Sequence, residues 1–135
     1  MNAPAPDTFR YVVTSKLGVA DAQQRLEAAI QAHKFSVLHT YDLRQTLHEK
    51  GFDLPAEVRV LELCNANQAF RVLQHEIGMN LALPCRISIW QLEGQTHVGM
   101  LRPKAMLQML SKSPALNAIA DEVERAMVEM VDAAR

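Results

Sequence analysis

Two strand-like segments in the second half of the chain constrain its fold more than any other feature. Residues 85–92 and 96–102 are rich in residues that favour strands, and only Glu93-Gly94-Gln95 separates them. Such a short, glycine-containing connection most economically makes a β-hairpin, whose strands run antiparallel. The sequence therefore predicts an antiparallel sheet rather than a parallel sheet built from crossover helices.

The rest of the chain supplies three further strands and a set of helices. Alternating apolar positions predict strands at 9–15, 35–42 and 57–63, the last ending at Cys64, whereas apolar positions three and four apart predict helices at 19–34, 43–50, 66–77, 104–110 and 114–134. In the helix at 66–77 the spacing selects Ala69, Phe70, Leu73 and Ile77 as the buried side. We predict an α+β two-layer sandwich with a mainly antiparallel sheet, helices on one face and the order β-α-β-(α)-β-α-β-β-α.

Length and charge limit the function classes. The chain has 135 residues, 14 basic and 15 acidic, and a net charge of -1. We predict one domain over residues 9–135, preceded by a disordered lead at 1–8. A near-neutral chain with scattered basic residues does not favour nucleic acid as a partner. The absence of a long apolar run or an export signal predicts a cytoplasmic protein that does not bind membranes.

The helix at 114–134 carries an apolar stripe that must be buried. Its members step four and three residues along the helix: Leu116, Ala120, Val123, Met127, Met130 and Ala134. The preferred interpretation is packing against the sheet, and the alternative is contact with a second subunit, because additional apolar residues make the stripe wider than a coiled-coil seam.

The two cysteines form the first candidate site. Cys64 ends a strand just before Asn65, whose side chain suits the N-cap of the next helix. Cys85 opens a later strand and precedes Arg86. A helix N-terminus and a nearby cation both favour a thiolate, so these residues are candidates for a ligand-binding or redox site. The alternative is that both cysteines are small buried hydrophobic residues, a common environment for a free thiol.

Other site chemistry finds less support in the sequence. The histidines His33, His39, His48, His75 and His97 show no metal-binding spacing, so a metal site would have to join distant elements, such as His39, His75 or His97 with the cysteines. The segment Arg102-Pro103-Lys104 opens a helix whose N-terminus is able to bind an anion, although a solvated strand end is the commoner arrangement. No nucleophile elbow, phosphate-binding loop or dinucleotide motif occurs, so we predict no catalytic residue, metal ligand or cofactor.

Two segments resemble a known family. The sequences 61–69, LELCNANQA, and 83–89, LPCRISI, are similar to those of the bacterial and archaeal domain of unknown function DUF302. The likeness extends over residues 9–110, and the usual Asn-Pro of the family is replaced here by Asn65-Ala66. The resemblance implies a compact α+β domain that tends to form dimers, and it implies no established activity.

These observations predict a homodimeric module that binds a small molecule or a partner near Cys64, Asn65, Cys85 and Arg86. One alternative is a thiol-dependent redox or metal-handling protein that uses Cys64 and Cys85. The other is a purely structural interaction module. The sequence leaves enzymatic activity open, with a preference for none.

Overall fold

The computed structural model describes residues 7–135, and residues 1–6 of the predicted N-terminal lead lie outside the described residues. Its strands are β1 (Arg10–Ser15), β2 (Ser36–Asp42), β3 (Glu57–Cys64), β4 (Cys85–Leu92) and β5 (Gln95–Leu101). Its α-helices are α1 (Val19–Ala32), α2 (Leu43–Glu49), α3 (Ala66–His75), α4 (Pro103–Leu110) and α5 (Pro114–Ala133), and a 3-10 helix covers Ile77–Ala82.

The five strands form one sheet in the order β1-β5-β4-β3-β2, and every neighbouring pair is antiparallel. The predicted hairpin joins β4 and β5 through Glu93 and Gly94, which both have positive φ angles, of 54° and 80°. Two consecutive residues with positive φ match the twist of the flanking strands, and glycine adopts this conformation without a steric cost. The α+β class and the antiparallel sheet are confirmed.

The hydrophobic core lies between one face of the sheet and the helices. Helices α1 and α5 contact this face, while α3 and α4 pack against α5. The centre of the sheet contributes Leu61, Leu63, Ile87, Ile89 and Val98, all fully buried. The apolar stripe of α5 is buried in the same core from Leu116 to Ala134, so the preferred interpretation, packing within the chain, is correct.

Hydrogen bonds attach the end of α5 to the edge of the sheet. The Ser15 hydroxyl donates to the carbonyl of Ala134 at 2.6 Å, and the Lys16 amide donates to the carbonyl of Arg135 at 3.0 Å. The Tyr11 hydroxyl donates to Asp132 at 2.6 Å. These contacts fix where α5 crosses the sheet and therefore where its apolar side chains line the space beside α3 and α4.

The region after β3 differs from the prediction. Helix α3 ends at His75 rather than Ile77, and the chain continues as the 3-10 helix. Phe70 and Ile77, predicted to be buried, are 66% and 72% exposed, whereas Val72 is buried. The prediction is correct for Ala69, which lines a cavity together with Val72, and wrong for Phe70 and Ile77, because α3 turns the Ala69–Val72 side inward.

Candidate functional site

A cavity of about 100 Å³ opens at the end of the sheet where β3 stops and β4 begins. The sheet contributes Leu63 and Leu101 to its wall, and α3 contributes Ala69 and Val72. Side chains from more distant parts of the chain complete the wall: Phe35, Ala82, Leu83, Pro84, Pro103, Met106, Leu107, Ile119, Val123 and Met127. The lining is almost entirely apolar.

All four predicted site residues line this cavity: Cys64, Asn65, Cys85 and Arg86. The register of the sheet brings the two segments together, because Leu63 pairs with Cys85 and Glu62 pairs with Arg86 across β3 and β4. Residues that are more than twenty positions apart in the chain thus lie together at one end of the sheet.

Asn65 shapes the turn between β3 and α3. Its side-chain oxygen accepts a hydrogen bond from the Gln68 amide at 3.0 Å, which confirms the predicted N-cap. Its side-chain nitrogen donates to the carbonyl of Lys34 at 3.3 Å. Both polar groups of Asn65 therefore bind the backbone of this chain, so Asn65 positions the cavity wall.

Burial governs the chemistry of Cys85. Both cysteines are free and half-buried. Desolvation raises the pKa of the Cys85 thiol from 9.0 to about 11, and the neighbouring Cys64 adds to the shift. The expectation that Arg86 favours a thiolate at Cys85 is wrong. The Arg86 side chain is largely exposed and lies 3.6 Å from Glu62, so it faces a carboxylate and solvent. At neutral pH, Cys85 is a protonated thiol.

Gln68 is the polar lining residue that the sequence analysis missed. Its side-chain oxygen Oε1 is buried and has no hydrogen-bond partner among the described residues. An unpaired buried acceptor costs about 1–3 kcal/mol. The signal in the sequence was its spacing, since Asn65, Gln68, Ala69 and Val72 lie three, four and seven residues apart and share one side of α3.

The alternative sites are occupied by other interactions. No three His, Cys, Asp or Glu side chains within residues 7–135 are arranged to hold a metal ion. His39 packs against Tyr41, and His97 stacks on Trp90 with 5.4 Å between ring centroids. At the N-terminus of α4, the Lys104 amide donates to Glu124 at 3.2 Å, so a carboxylate of this chain takes the place of an anion.

Comparison with known proteins assigns the chain to a family. The model of the family "Domain of unknown function DUF302" matches residues 11–134. The chain belongs to the DUF302 family. The match includes α5, which lies beyond the segments that carried the resemblance in the sequence.

A DUF302 structure shares this fold. The crystal structure of an uncharacterized conserved DUF302 protein from Bacillus stearothermophilus is similar with a TM-score of 0.90 and 32% sequence identity. The match covers 96% of this chain and 100% of the other. No curated protein matches the chain. Among the described residues, no helix is long and apolar enough to cross a membrane.

Proposed function

We propose that this DUF302 protein binds a small, compact apolar molecule in the cavity between α3, α4, α5 and the end of β3. The observation that carries the proposal is the cavity itself, which has an apolar wall and a volume of about 100 Å³. Apolar protein cavities of roughly this size stay dry and accept molecules such as benzene. The proposed ligands are therefore single-ring or short branched compounds.

Gln68 narrows the ligand chemistry further. The terminal torsion of a glutamine side chain is soft, so the Gln68 amide can turn toward a molecule in the cavity. Its unpaired oxygen accepts a hydrogen bond, and the protonated Cys85 thiol does not repel a neutral ligand. These groups favour a neutral apolar molecule that carries one hydroxyl or N–H donor.

Phenol and toluene test this proposal, because they have nearly the same shape and only phenol carries a donor. We expect both to bind, with phenol about tenfold tighter, as one added hydrogen bond predicts. The measurement is calorimetric titration, supported by amide shifts of residues on α3. The variant Gln68→Met should bind the two compounds equally. Benzoate is the charged control, and tight binding of benzoate alone would assign recognition to Arg86 and contradict the proposal.

The position of both cysteines on one cavity wall favours a second candidate, a redox-active thiol pair. In this reaction an external disulfide such as oxidised glutathione accepts two electrons and two protons from Cys64 and Cys85, which become joined by a disulfide. Mass spectrometry after incubation with oxidised glutathione detects the loss of two hydrogens from the protein. Ligand binding without this oxidation supports the first function, and rapid oxidation supports the second.

The neutral state of Cys85 argues against fast thiol chemistry. At pH 8, a thiol with a pKa of about 11 has about 100-fold less thiolate than one with a pKa of 9.0. We therefore expect iodoacetamide to modify Cys85 about 100-fold more slowly in the folded protein than after denaturation. The variant Cys64→Ala isolates the reactivity of Cys85. Equal rates in the folded and denatured protein would contradict this expectation and favour the redox function.

A further inference from the structure

Four of the side chains that line the cavity carry sulfur. Cys64 and Cys85 bring thiols from the adjoining ends of β3 and β4, where Leu63 pairs with Cys85. Met106 brings a thioether from α4, and Met127 brings another from α5. The end of the sheet and two helices on the other side of the cavity therefore all present sulfur to the same small space.

The ligands that most other metal sites use are missing from this wall. Within the part of the chain that the structure describes, no histidine, aspartate or glutamate lines the cavity. Two of the histidines that the sequence offered as partners of the cysteines lie elsewhere, His39 against Tyr41 and His97 against Trp90. Zinc sites with only two cysteines are completed by imidazole or carboxylate, and calcium and magnesium require oxygen ligands. The wall therefore discriminates against these cations.

Each methionine of the wall has a second methionine three positions away that does not reach the cavity. On α4, Met109 follows Met106 and is 73% exposed. On α5, Met130 follows Met127 and is fully buried in the core. Neither Met109 nor Met130 lines the cavity. The fold thus directs one thioether of each pair toward the cysteines.

We propose that this cavity binds one Cu(I) ion, held by the two cysteine sulfurs and supported by the two methionine thioethers. Soft thiolate and thioether ligands select Cu(I) among the biological metals. Each cysteine that binds exchanges its S–H bond for a Cu–S bond and releases one proton to solvent. The copper keeps its oxidation state, so no oxidant or reductant takes part in binding.

The wall also favours the reduced state of copper. Cu(II) prefers square-planar or tetragonal sites made of nitrogen and oxygen ligands. The Gln68 oxygen is unpaired, but both polar groups of Asn65 bind the backbone, so these residues do not build such a site. A Cu(I) ion and one thiolate, in contrast, form a neutral unit, which costs less to bury in an apolar wall than either charge alone.

The copper site does not rest on the proposed apolar ligand. Copper binding depends on the four sulfur atoms, whereas phenol binding depends on the free volume and on Gln68. Because the ion and its ligands would occupy that volume, the Cu(I)-loaded protein should no longer bind phenol. Phenol binding is measured on the metal-free protein, so either proposal can fail without the other.

A competition titration tests the site on the full metal-free chain. Cu(I), kept reduced with ascorbate under nitrogen, is shared between the protein and the chelator bicinchoninate, whose Cu(I) complex is coloured. We expect the protein to take one ion per chain, with ultraviolet absorption typical of Cu–thiolate bonds and a sulfur-only shell in X-ray absorption. Zn²⁺ should not displace the ion. Copper that stays with the chelator, a shell of nitrogen or oxygen, or displacement by Zn²⁺ would overturn the proposal.

Serine variants test the two thiols. Cys64→Ser and Cys85→Ser should each lower the affinity for Cu(I) by about 100-fold, because a hydroxyl is a poor ligand for a soft ion. Circular dichroism of the metal-free variants checks that they fold. An unchanged affinity in either folded variant would remove that thiol from the site and contradict the assignment.

Leucine variants test the two thioethers and keep the proposal testable if a serine variant does not fold. Methionine and leucine have similar volumes, so the exchange disturbs packing little. Met106→Leu and Met127→Leu should each weaken Cu(I) binding by about tenfold. The matched controls Met109→Leu and Met130→Leu should bind Cu(I) as the unmodified protein does. Equal affinities in all four variants would exclude the thioethers and refute the four-sulfur site.

Discussion

Filling the cavity with a larger side chain on α3 separates its role in binding from its role in stability. Ala69 lines the cavity, and the substitution Ala69→Leu adds three carbon atoms there. A void of about 100 Å³ at about 24 cal/mol per Å³ destabilises a fold by about 2.4 kcal/mol. Three buried carbon groups at about 0.8 kcal/mol each give the same figure.

The gain in stability expected for Ala69→Leu is smaller than the figure of about 2.4 kcal/mol for filling the whole void. Ordering a leucine side chain costs about 0.5–1 kcal/mol in entropy. We therefore expect Ala69→Leu to raise the free energy of unfolding by about 1.5 kcal/mol and the melting temperature by about 5 °C. Because the leucine occupies the ligand volume, phenol and toluene should no longer bind. A more stable protein with less function is a common outcome when a functional cavity is filled.

Urea denaturation and calorimetric titration of phenol measure the two effects on the same samples. The matched control is Ala66→Leu, which makes the same change at an exposed position in the first turn of α3. The control should change neither the cavity nor the affinity for phenol. Unchanged phenol binding in Ala69→Leu would refute the assignment of the ligand to this cavity. A decrease in stability would show that the wall is too tightly packed to accept the leucine.

Three further outcomes test other parts of the structure. Gly99→Ala should lower the free energy of unfolding by about 1–3 kcal/mol, because the new Cβ overlaps Val12. The double variant with Val12→Ala should recover part of this loss in urea denaturation, and a loss that is simply additive would contradict the overlap. The hydrogen bond to Glu129, followed by the bond to the backbone, raises the pKa of His33 above 6.5. The protonated pair therefore stabilises the fold fully below about pH 6.5 and loses this effect as pH rises through the folded pKa, by up to about 1 kcal/mol for such an exposed pair. Glu129→Gln should remove this step from the pH dependence of stability. Burial raises the pKa of Cys85 to about 11, so stability should fall between about pH 9 and pH 11 as only the unfolded thiol ionises, and Cys85→Ala should reduce the fall. The remainder comes from Tyr11 and Tyr41, because their hydrogen bonds to carboxylates raise the pKa of both phenols in the folded protein.

The elements that depend on neighbouring residues could be predicted from the sequence. The β4–β5 hairpin and the Asn65 cap each follow from a few adjacent positions, and the structure contains both. The proximity of Cys64 and Cys85 follows once β3 and β4 are paired. In an antiparallel pair the end of one strand lies beside the start of the next.

The remaining parts of the site depend on contacts between distant elements. The inward side of α3 is set by Met127 and Val123, which reach the cavity from α5 more than fifty positions along the chain. The apolar periodicity alone placed Phe70 and Ile77 among the buried residues. On a short helix the same spacing is compatible with more than one choice of buried side. The unpaired oxygen of Gln68 is likewise a property of the assembled wall, which no local pattern contains.

The outer face of the sheet, in contrast, has a trace in the sequence of a single strand. Leu61 and Leu63 of β3 are buried in the core, while Val58 and Val60 alternate onto the opposite, outer face. A strand with one solvated face normally carries polar residues on that side, so β3 departs from the usual alternation. Helices α1 and α5 contact the core face, and the α5 stripe that first suggested a subunit contact is buried there. The apolar side chains that the strands leave outside the core therefore lie on the outer face of the sheet.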